Sequence, residues 1–234
     1  MKRVLLLTFF LTQAIFCSFA QNSTGSSPVV YDAVYRLELP PGQNKIISQN
    51  APANLDGSPF LNENWQDGKI LMNNGDTIPT IKLRLNVYKN EMQFLHKEKT
   101  YAIGAPESVK FIKVGGSSFV FLSYEDKGTQ KKGYFEEIYD GKVSLLINYY
   151  PEILPANFNV QLNSGNKNDQ ITIKKKYYAK IGDKIVEIDK KGKKFISSFG
   201  EKESLILKYV KDNKISFKNE GDLVSLIKYS NTLI

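Results

Sequence analysis

The sequence predicts a mainly β fold: an antiparallel curled sheet, or a partly open β-barrel or sandwich, closed by two short C-terminal helices. Three observations predict it. Ile81–Val87 alternates apolar and polar residues, as a half-buried strand does. Similar runs recur every eight to twelve residues as far as Tyr150, which favours an antiparallel meander over βαβ units. After Ser198 the apolar residues change to helical spacing.

The first 20 residues have the three parts of a secretory signal peptide. Lys2–Arg3 supplies positive charge, Val4–Phe16 is the apolar region, and Ser18–Ala20 is a small-x-small cleavage site. We expect residues 1–20 to be removed, which leaves one β-rich domain over residues 21–234 with its helical tail at about residues 200–234. The apolar region is too short for a comfortable membrane span, so we expect no transmembrane segment in the mature chain.

Cys17, the only cysteine, raises the alternative of an acylated lipoprotein. A bacterial lipobox requires a small residue before the cysteine, and here that residue is Phe16. We therefore favour cleavage and export to the periplasm or the medium. A mature chain without cysteine has no disulfide and must be held together by its core.

The chain carries a net charge of +8, which falls to +6 when Lys2 and Arg3 are removed. Nearly all the positive charge is lysine, since only Arg36 and Arg84 are arginines of the mature chain. The planar fork of arginine is the group that phosphate and base recognition favours. The composition therefore argues against nucleic acid as a partner.

The alternating strand and the run after Asn90 form a predicted hairpin, because Asn90 tolerates the left-handed backbone of a tight turn. Antiparallel pairing about Lys89–Asn90 places Val87 opposite Met92 and Leu85 opposite Phe94, which keeps the apolar residues on one face.

The sequence also predicts strands elsewhere, a long loop over Gln43–Pro59 and a β-hairpin turn at Asp140–Gly141. These strands are Val29–Leu39, Gly68–Met72, Thr100–Ile103, Val109–Val114, Ser118–Tyr124, Gly133–Tyr139, Lys142–Tyr150, Ile171–Lys180, Lys184–Ile188 and Lys193–Ser198.

The helical tail has its own start and stop signals. Ser198 and Glu201 have the spacing of a capping box, Asn213 can end the first helix, and Asn219 can cap the second. The apolar positions at helical intervals are Leu205, Ile206, Tyr209 and Val210 in the first helix and Leu223, Leu226 and Ile227 in the second.

We predict no catalytic, cofactor-binding or metal-binding residues and no cofactor. His96 is the only histidine, which excludes histidine-cluster zinc sites, and the hairpin register places it opposite Leu83 at the surface. Cysteine nucleophiles are excluded once Cys17 is removed. The sequence contains no P-loop, dinucleotide-binding glycine motif or nucleophile elbow.

Acidic residues give one route to an enzyme. Asp56, Glu63 and Asp67 lie in one loop region and can meet in space, as the carboxylate pair of a polysaccharide-processing enzyme does. Glu136 and Glu137 are neighbours on a strand and point to opposite faces, so they cannot act as a pair.

Lysines interleave with aromatic residues in the runs Lys174–Tyr178 and Lys190–Phe195. This pattern suits an anionic surface such as polysaccharide or lipid headgroups, but it is more often that of a solvated strand face, which we favour. The aromatic pairs have two interpretations as well, a sugar-stacking platform or the core of a sheet. The pairs are Phe119 with Phe121, Tyr134 with Phe135, and Tyr149 with Tyr150.

The layout resembles that of small secreted Bacteroidota proteins of unknown function, over about half of the mature chain. The similar parts are Gly57–Leu61, Gly68–Val87, Glu91–Phe94, and the tail from Asn213–Phe217 to Leu223–Ile227. The resemblance implies an envelope or extracytoplasmic location. It implies no activity and supplies no site residues.

These observations favour a non-enzymatic, extracytoplasmic binding or structural protein of the cell envelope. Its candidate partners are envelope proteins, glycans and a hydrophobic ligand. One alternative is a carrier for a hydrophobic ligand, which a concave face filled by Phe119, Phe121 and Leu145 would exclude. The other is the carboxylate enzyme, which fully exposed loop acids would exclude. We expect any functional surface near the Gln43–Asp67 loop.

Overall fold

The structure, a computed structural model, describes residues 54–234. The signal peptide, Cys17, the strand predicted over Val29–Leu39 and the first part of the long loop lie outside the described residues.

One open sheet of 11 strands forms the body of the protein. Its strands are β1 (Leu55–Asp56), β2 (Gln66–Met72), β3 (Thr77–Asn86), β4 (Glu91–His96), β5 (Lys99–Ala102), β6 (Val109–Val114), β7 (Ser117–Asp126), β8 (Thr129–Tyr139), β9 (Val143–Leu154), β10 (Asp169–Ile181) and β11 (Lys184–Ile188). The helices are α1 (Lys193–Ser197), α2 (Glu203–Asp212) and α3 (Glu220–Thr232). Single 3-10 turns lie at Pro106–Ser108 and Gly200–Lys202.

The strand order is β1-β10-β9-β8-β7-β6-β2-β3-β4-β5, and β11 also pairs with β10. The pairs are antiparallel except for the parallel pair of β1 with β10. The prediction of a mainly β fold with an antiparallel sheet and short C-terminal helices is confirmed, and the sheet stays open.

Two main cores cover the sheet, one for each half. The strands β2 to β6 bury residues such as Ile70, Leu83 and Phe94, each 0% exposed. The strands β9 and β10 are covered by the helices. A smaller aromatic cluster of Phe135 and Tyr178, with Tyr124 packed edge-on against both, lies on the opposite face, where the sheet curls and brings β11 toward β7.

The predicted register of the β3–β4 hairpin is wrong by two residues. Leu85 pairs with Met92, and Leu83 with Phe94. A shift of two keeps every side chain on its predicted face, so the apolar pattern could not exclude it. Tertiary contact decides the register, because the Val87 backbone N–H donates to the Pro59 carbonyl (2.8 Å) and the chain then turns over four residues. Asn90 is left-handed as predicted, with φ of 53°.

The prediction of a strand over Lys193–Ser198 is also wrong, since Lys193–Ser197 forms the helix α1. Phe195 and Ile196 are neighbours and both enter the same core, which a strand with alternating faces does not allow. Phe199, one helical turn on, packs edge-on against Phe195 at 5.1 Å. The tail therefore has three helices instead of two.

The start of α2 differs from the predicted capping box. Ser198 precedes the 3-10 turn Gly200–Lys202, Glu201 lies within that turn, and no side chain caps α2, which begins at Glu203. Asn213 follows its last residue, as predicted. Ile206 is fully buried, whereas Leu205 is 44% exposed.

The last helix, α3, agrees with the sequence. The Asn219 side chain accepts a hydrogen bond from the Asp222 backbone N–H at 3.0 Å, which caps the helix. Leu223, Leu226 and Ile227 are each 0% exposed and pack on β9 and β10. None of the helices within residues 54–234 has the length and apolar content required to cross a bilayer.

Candidate functional site

The face of β2, β3 and β6 that points away from the core carries mostly basic residues. Asp67 pairs with Lys82 across β2 and β3, and Lys69 pairs with Lys113 across β2 and β6. Arg84 follows Lys82 by two positions and therefore lies on the same face. We call this set, Asp67, Lys69, Lys82, Arg84 and Lys113, the basic face.

Arg84 is held between two aromatic rings of the loop that precedes β2. Its central guanidinium carbon lies 3.8 Å from the centre of the Phe60 ring and 4.2 Å from that of Trp65. Its Nε donates to the side-chain oxygen of Gln93 at 3.2 Å. Contact with both rings and the hydrogen bond to Gln93 restrict the orientation of the guanidinium.

The loop reaches Arg84 because its backbone docks on the end of β3. The Leu61 N–H donates to the Leu85 carbonyl at 3.0 Å, and Phe60 forms an isolated antiparallel bridge with Asn86. Together with the Pro59 contact described above, these bonds place Phe60 over the polar side of β3. Trp65 is the residue immediately before β2.

Arg84 is a charge held away from water, with only 9% of its surface exposed. Burial lowers the pKa of its guanidinium, although arginine stays protonated at neutral pH. Among residues 54–234, no carboxylate lies within ion-pair distance of it. A buried cation without a counter-ion favours an incoming anion.

A groove of about 510 Å³ lies on the part of the basic face that carries Asp67, Lys69 and Lys113, and Arg84 is not among its lining residues. Lys69 and Lys113 stand side by side on its wall, and neither forms an ion pair with a described residue. Gly68 allows β6 to approach β2 here, since a Cβ at that position would lie 2.1 Å from the Lys113 carbonyl oxygen. The volume falls within the range of small-ligand sites, about 300–1,000 Å³.

The groove is open to solvent. Its other lining residues are Asp67, Gly68, Thr77, Pro79, Thr80 and Gly115. Asp67 is its one carboxylate, and this group already pairs with Lys82 at 3.0 Å in an exposed ion pair. Two ammonium groups without an ion-pair partner among residues 54–234, together with two threonine hydroxyls, suit a negatively charged ligand.

The lysine run that the sequence singled out is neutralised by acids. Lys174 pairs with Glu152 (3.5 Å) and Lys175 with Glu220 (2.9 Å). Lys176 lies between Asp126 (3.4 Å) and Glu187 (3.6 Å). The second run, Lys190–Phe195, forms the turn into α1 and buries Phe195.

The three loop acids do not meet in a cleft. Asp56, Glu63 and Asp67 are all exposed; Asp56 accepts a hydrogen bond from Asn168, and Asp67 pairs with Lys82. This arrangement removes the geometric basis of the carboxylate enzyme. His96, the only histidine, ends β4 and pairs with Lys99 of β5. Leu83, its predicted partner on β3, pairs with Phe94 instead because of the two-residue shift in register.

Glu136 is the acid with the most structured surroundings. Its carboxylate accepts hydrogen bonds of 2.5 Å from the Ser117 and Tyr149 hydroxyls. Burial and this carboxylate raise the pKa of Tyr149 well above its usual value. Glu137 points to the other face, as predicted, and burial raises its pKa.

The three side chains named against the carrier are packed among their neighbours. Phe119 is 2% exposed, Leu145 is 0% exposed, and Phe121 packs edge-on against Tyr134 at 4.8 Å. The space beside Phe119 amounts to about 40 Å³. Phe119 and Phe121 belong to one core and Leu145 to the other, so the three residues do not together fill one concave face.

Neither Arg84 nor Trp65 was predicted from the sequence as a site residue. Arg84 sits at a polar position of an alternating strand, and Trp65 is the only tryptophan. The available signal was that Arg84 is one of only two arginines in the expected mature chain, which otherwise uses lysine. Comparison with known proteins found no matching protein family, curated protein or solved structure.

Proposed function

We propose that this chain is an exported, non-enzymatic binding protein of the cell envelope that holds an acidic glycan on the basic face. The observation that carries the proposal is the position of Arg84. It is a buried guanidinium in contact with the Phe60 and Trp65 rings, without a carboxylate partner among residues 54–234. The same face carries a groove whose two lysines form no ion pair with a described residue.

The chemistry of the groove favours a glycan with carboxylate or sulfate groups. Lys69 and Lys113 supply charge, and Thr77 and Thr80 supply hydroxyls for sugar oxygens. The exposed parts of Trp65 and Phe60 extend the surface with aromatic rings, on which sugars stack. A shallow, open shape suits a polymer that lies across the sheet.

The location is part of the proposal. A signal peptide over residues 1–20, cleaved before Gln21, brings the chain to a compartment that contains acidic polysaccharides. The resemblance to secreted Bacteroidota proteins agrees with this location. N-terminal sequencing of the exported protein should begin at Gln21, and an acylated Cys17 would contradict the proposed processing.

The binding experiment uses calorimetric titration with oligogalacturonate and, as a matched probe, its methyl ester of the same length. The ester keeps the shape and removes the charge, so we expect it to bind at least about tenfold more weakly, because charge-assisted hydrogen bonds contribute roughly 1.5–3 kcal/mol each. Equal binding of the two probes, or binding of neither, would overturn the acidic-glycan proposal.

A pair of double variants locates the site. Lys69→Gln with Lys113→Gln should weaken oligogalacturonate binding by about tenfold or more. Lys208→Gln with Lys211→Gln on α2 removes the same charge from exposed positions far along the chain and should change binding less than twofold. If both double variants weaken binding equally, the attraction is a property of net charge and not of the basic face.

A further inference from the structure

A hairpin between β9 and β10, residues 155–168, projects beyond the paired region of the two strands; we call it the β9–β10 arm. Its backbone is hydrogen-bonded along its length. The Asn157 N–H donates to the Asn166 carbonyl at 3.0 Å. Asn159 and Ser164 exchange two bonds, of 2.8 and 3.3 Å. The arm is therefore an ordered structure of its own.

Particular residues specify the turn at its tip. The Asn159 side chain accepts from the Leu162 N–H at 3.0 Å, and Asn163 takes a left-handed conformation with φ of 45°. Gly165 has φ of 100°, and a Cβ there would lie 2.5 Å from the Asn157 carbonyl oxygen. Such a turn presents the side chains at the tip in a fixed direction.

The tip presents two aliphatic side chains to solvent. Val160 is 81% exposed and Leu162 is 72% exposed, the highest values among the large exposed hydrophobic residues of the described chain. Ile153 and Leu154, at the base of the arm, are 39% and 49% exposed. Exposed apolar groups that a structured turn holds in place mark an interaction site.

The arm itself carries one positive charge, and the carboxylates of Asp56 and Asp169 accept hydrogen bonds at its base. No acidic residue lies between Glu152 and Asp169. The one ionised side chain in that interval is Lys167, which packs over the Phe158 ring at 4.9 Å. The rest of the arm is mainly asparagine and small residues. A cation and an aromatic ring behind an aliphatic tip match the polarity gradient of a membrane interface.

The size of the tip decides between a protein and a bilayer as the partner. A stable protein interface buries about 800 Å² on each partner, far more than two aliphatic side chains provide. A bilayer accepts a narrow tip, because its acyl region closes around whatever is inserted. We propose that the β9–β10 arm inserts Val160 and Leu162 into the surface of an anionic lipid bilayer, with Lys167 at the headgroups.

This proposal concerns a different surface from the basic face and is tested without glycan. The exported protein is mixed with vesicles of phosphatidylethanolamine and phosphatidylglycerol, and the bound fraction is measured by co-sedimentation. The double variant Val160→Ser with Leu162→Ser should bind vesicles at least about tenfold more weakly, because it lacks the two aliphatic side chains that would be buried in the bilayer. The matched variant Leu205→Ser with Leu207→Ser changes two exposed leucines of α2 and should bind as the parent does.

Depth of insertion gives a second readout that does not depend on the stability of a variant. The Leu162→Cys protein, in a Cys17→Ser background, is labelled with an environment-sensitive fluorophore, and Leu205→Cys is labelled as the control. Vesicles should shift the emission of the probe at position 162 to shorter wavelength and leave the probe at 205 unchanged. Replacing phosphatidylglycerol with phosphatidylcholine should weaken binding, because Lys167 and the basic chain are attracted to anionic lipid.

Three results would overturn the proposal. One is equal binding of the two serine double variants. Another is a probe at position 162 whose emission does not respond to vesicles. The last is a parent protein that does not bind vesicles but forms a dimer through the arm. Sedimentation velocity would then show a dimer for the parent and none for the Val160→Ser, Leu162→Ser variant.

Discussion

Arg84 and Phe60, 24 positions apart in the chain, stack with 3.8 Å between the guanidinium carbon and the ring centre. The contact joins the loop before β2 to the polar side of β3, and Trp65 completes it from the other face of the guanidinium. A cation that is stacked on two rings and largely removed from water gains more than one at an exposed site. This cluster therefore contributes to stability as well as to the proposed binding.

Replacing Arg84 with lysine should destabilise the protein by about 1–2 kcal/mol, because an ammonium group cannot stack flat between two rings or keep the bond to Gln93. The free energy of unfolding is measured by urea titration. Lys82→Met is the control on the same face; its exposed ion pair with Asp67 is worth about 0.5 kcal/mol or less. Equal effects of the two changes would mean that the aromatic clamp adds nothing.

Tyr149→Phe should cost about 1–2 kcal/mol, because it leaves the half-buried Glu136 carboxylate with one hydroxyl donor instead of two. Adding Glu136→Gln should recover part of this loss, since the charge that needs the donor is then gone. Tyr150→Phe is the control, because no described residue hydrogen-bonds its hydroxyl. Ultraviolet titration should find one tyrosine fewer with a strongly raised pKa in Tyr149→Phe.

Asn219→Ala should destabilise the protein by about 1 kcal/mol through loss of the cap on α3. Asn219→Asp keeps an acceptor at the helix N-terminus and should restore the stability, which chemical unfolding measures. The C-terminal helix shields β9, so increased amide exchange at Val143 and Leu145 should accompany the loss. An alanine variant as stable as the parent would contradict the role of the cap.

The ion pairs of Asp126 predict that the free energy of unfolding falls in acid. Its hydrogen bond with Lys131 and the nearby charge of Lys176 hold the pKa of this carboxyl below its usual value. A group whose folded pKa is lowered stabilises the protein above its unfolded pKa, about 3.9, and this contribution is lost as the pH falls through the folded value. Asp126→Asn should therefore destabilise the protein at pH 7 and have little effect at pH 2.

Urea unfolding of both proteins between pH 7 and pH 2 measures this difference. Asp67→Asn provides the matched control, since it removes an exposed carboxylate whose ion pair with Lys82 contributes about 0.5 kcal/mol or less. An unfolding curve for Asp126→Asn with the same pH dependence as the parent would contradict the argument.

The local patterns of the sequence determined several elements correctly. Alternation placed Leu83, Leu85 and Phe94 on the buried side of their strands, and Asp140–Gly141 lies between β8 and β9. Asn219 caps α3 as predicted. Each of these features depends on backbone preference or on a period that a few neighbouring residues define.

Short segments without a clear period were not determined in this way. Lys193–Ser198 contains two adjacent apolar residues that fit a strand or a helix equally. The helix forms because it buries both of them in the same core. Partners two positions apart satisfy the same alternation, so the register of β3 against β4 was set by the Pro59 contact.

The sequence by itself determined which strands alternate, where the hairpin turns and the last helix cap lie, and which face of each strand is buried, because these follow from residues close together in the chain. Only the tertiary structure decided how charges meet. The lysines of residues 174–176 form ion pairs with acids on β9, β7, β11 and α3. Arg84 instead contacts aromatic rings, and Lys69 and Lys113 face solvent. Such pairing depends on which strands become neighbours, and strand order is a property of the whole chain.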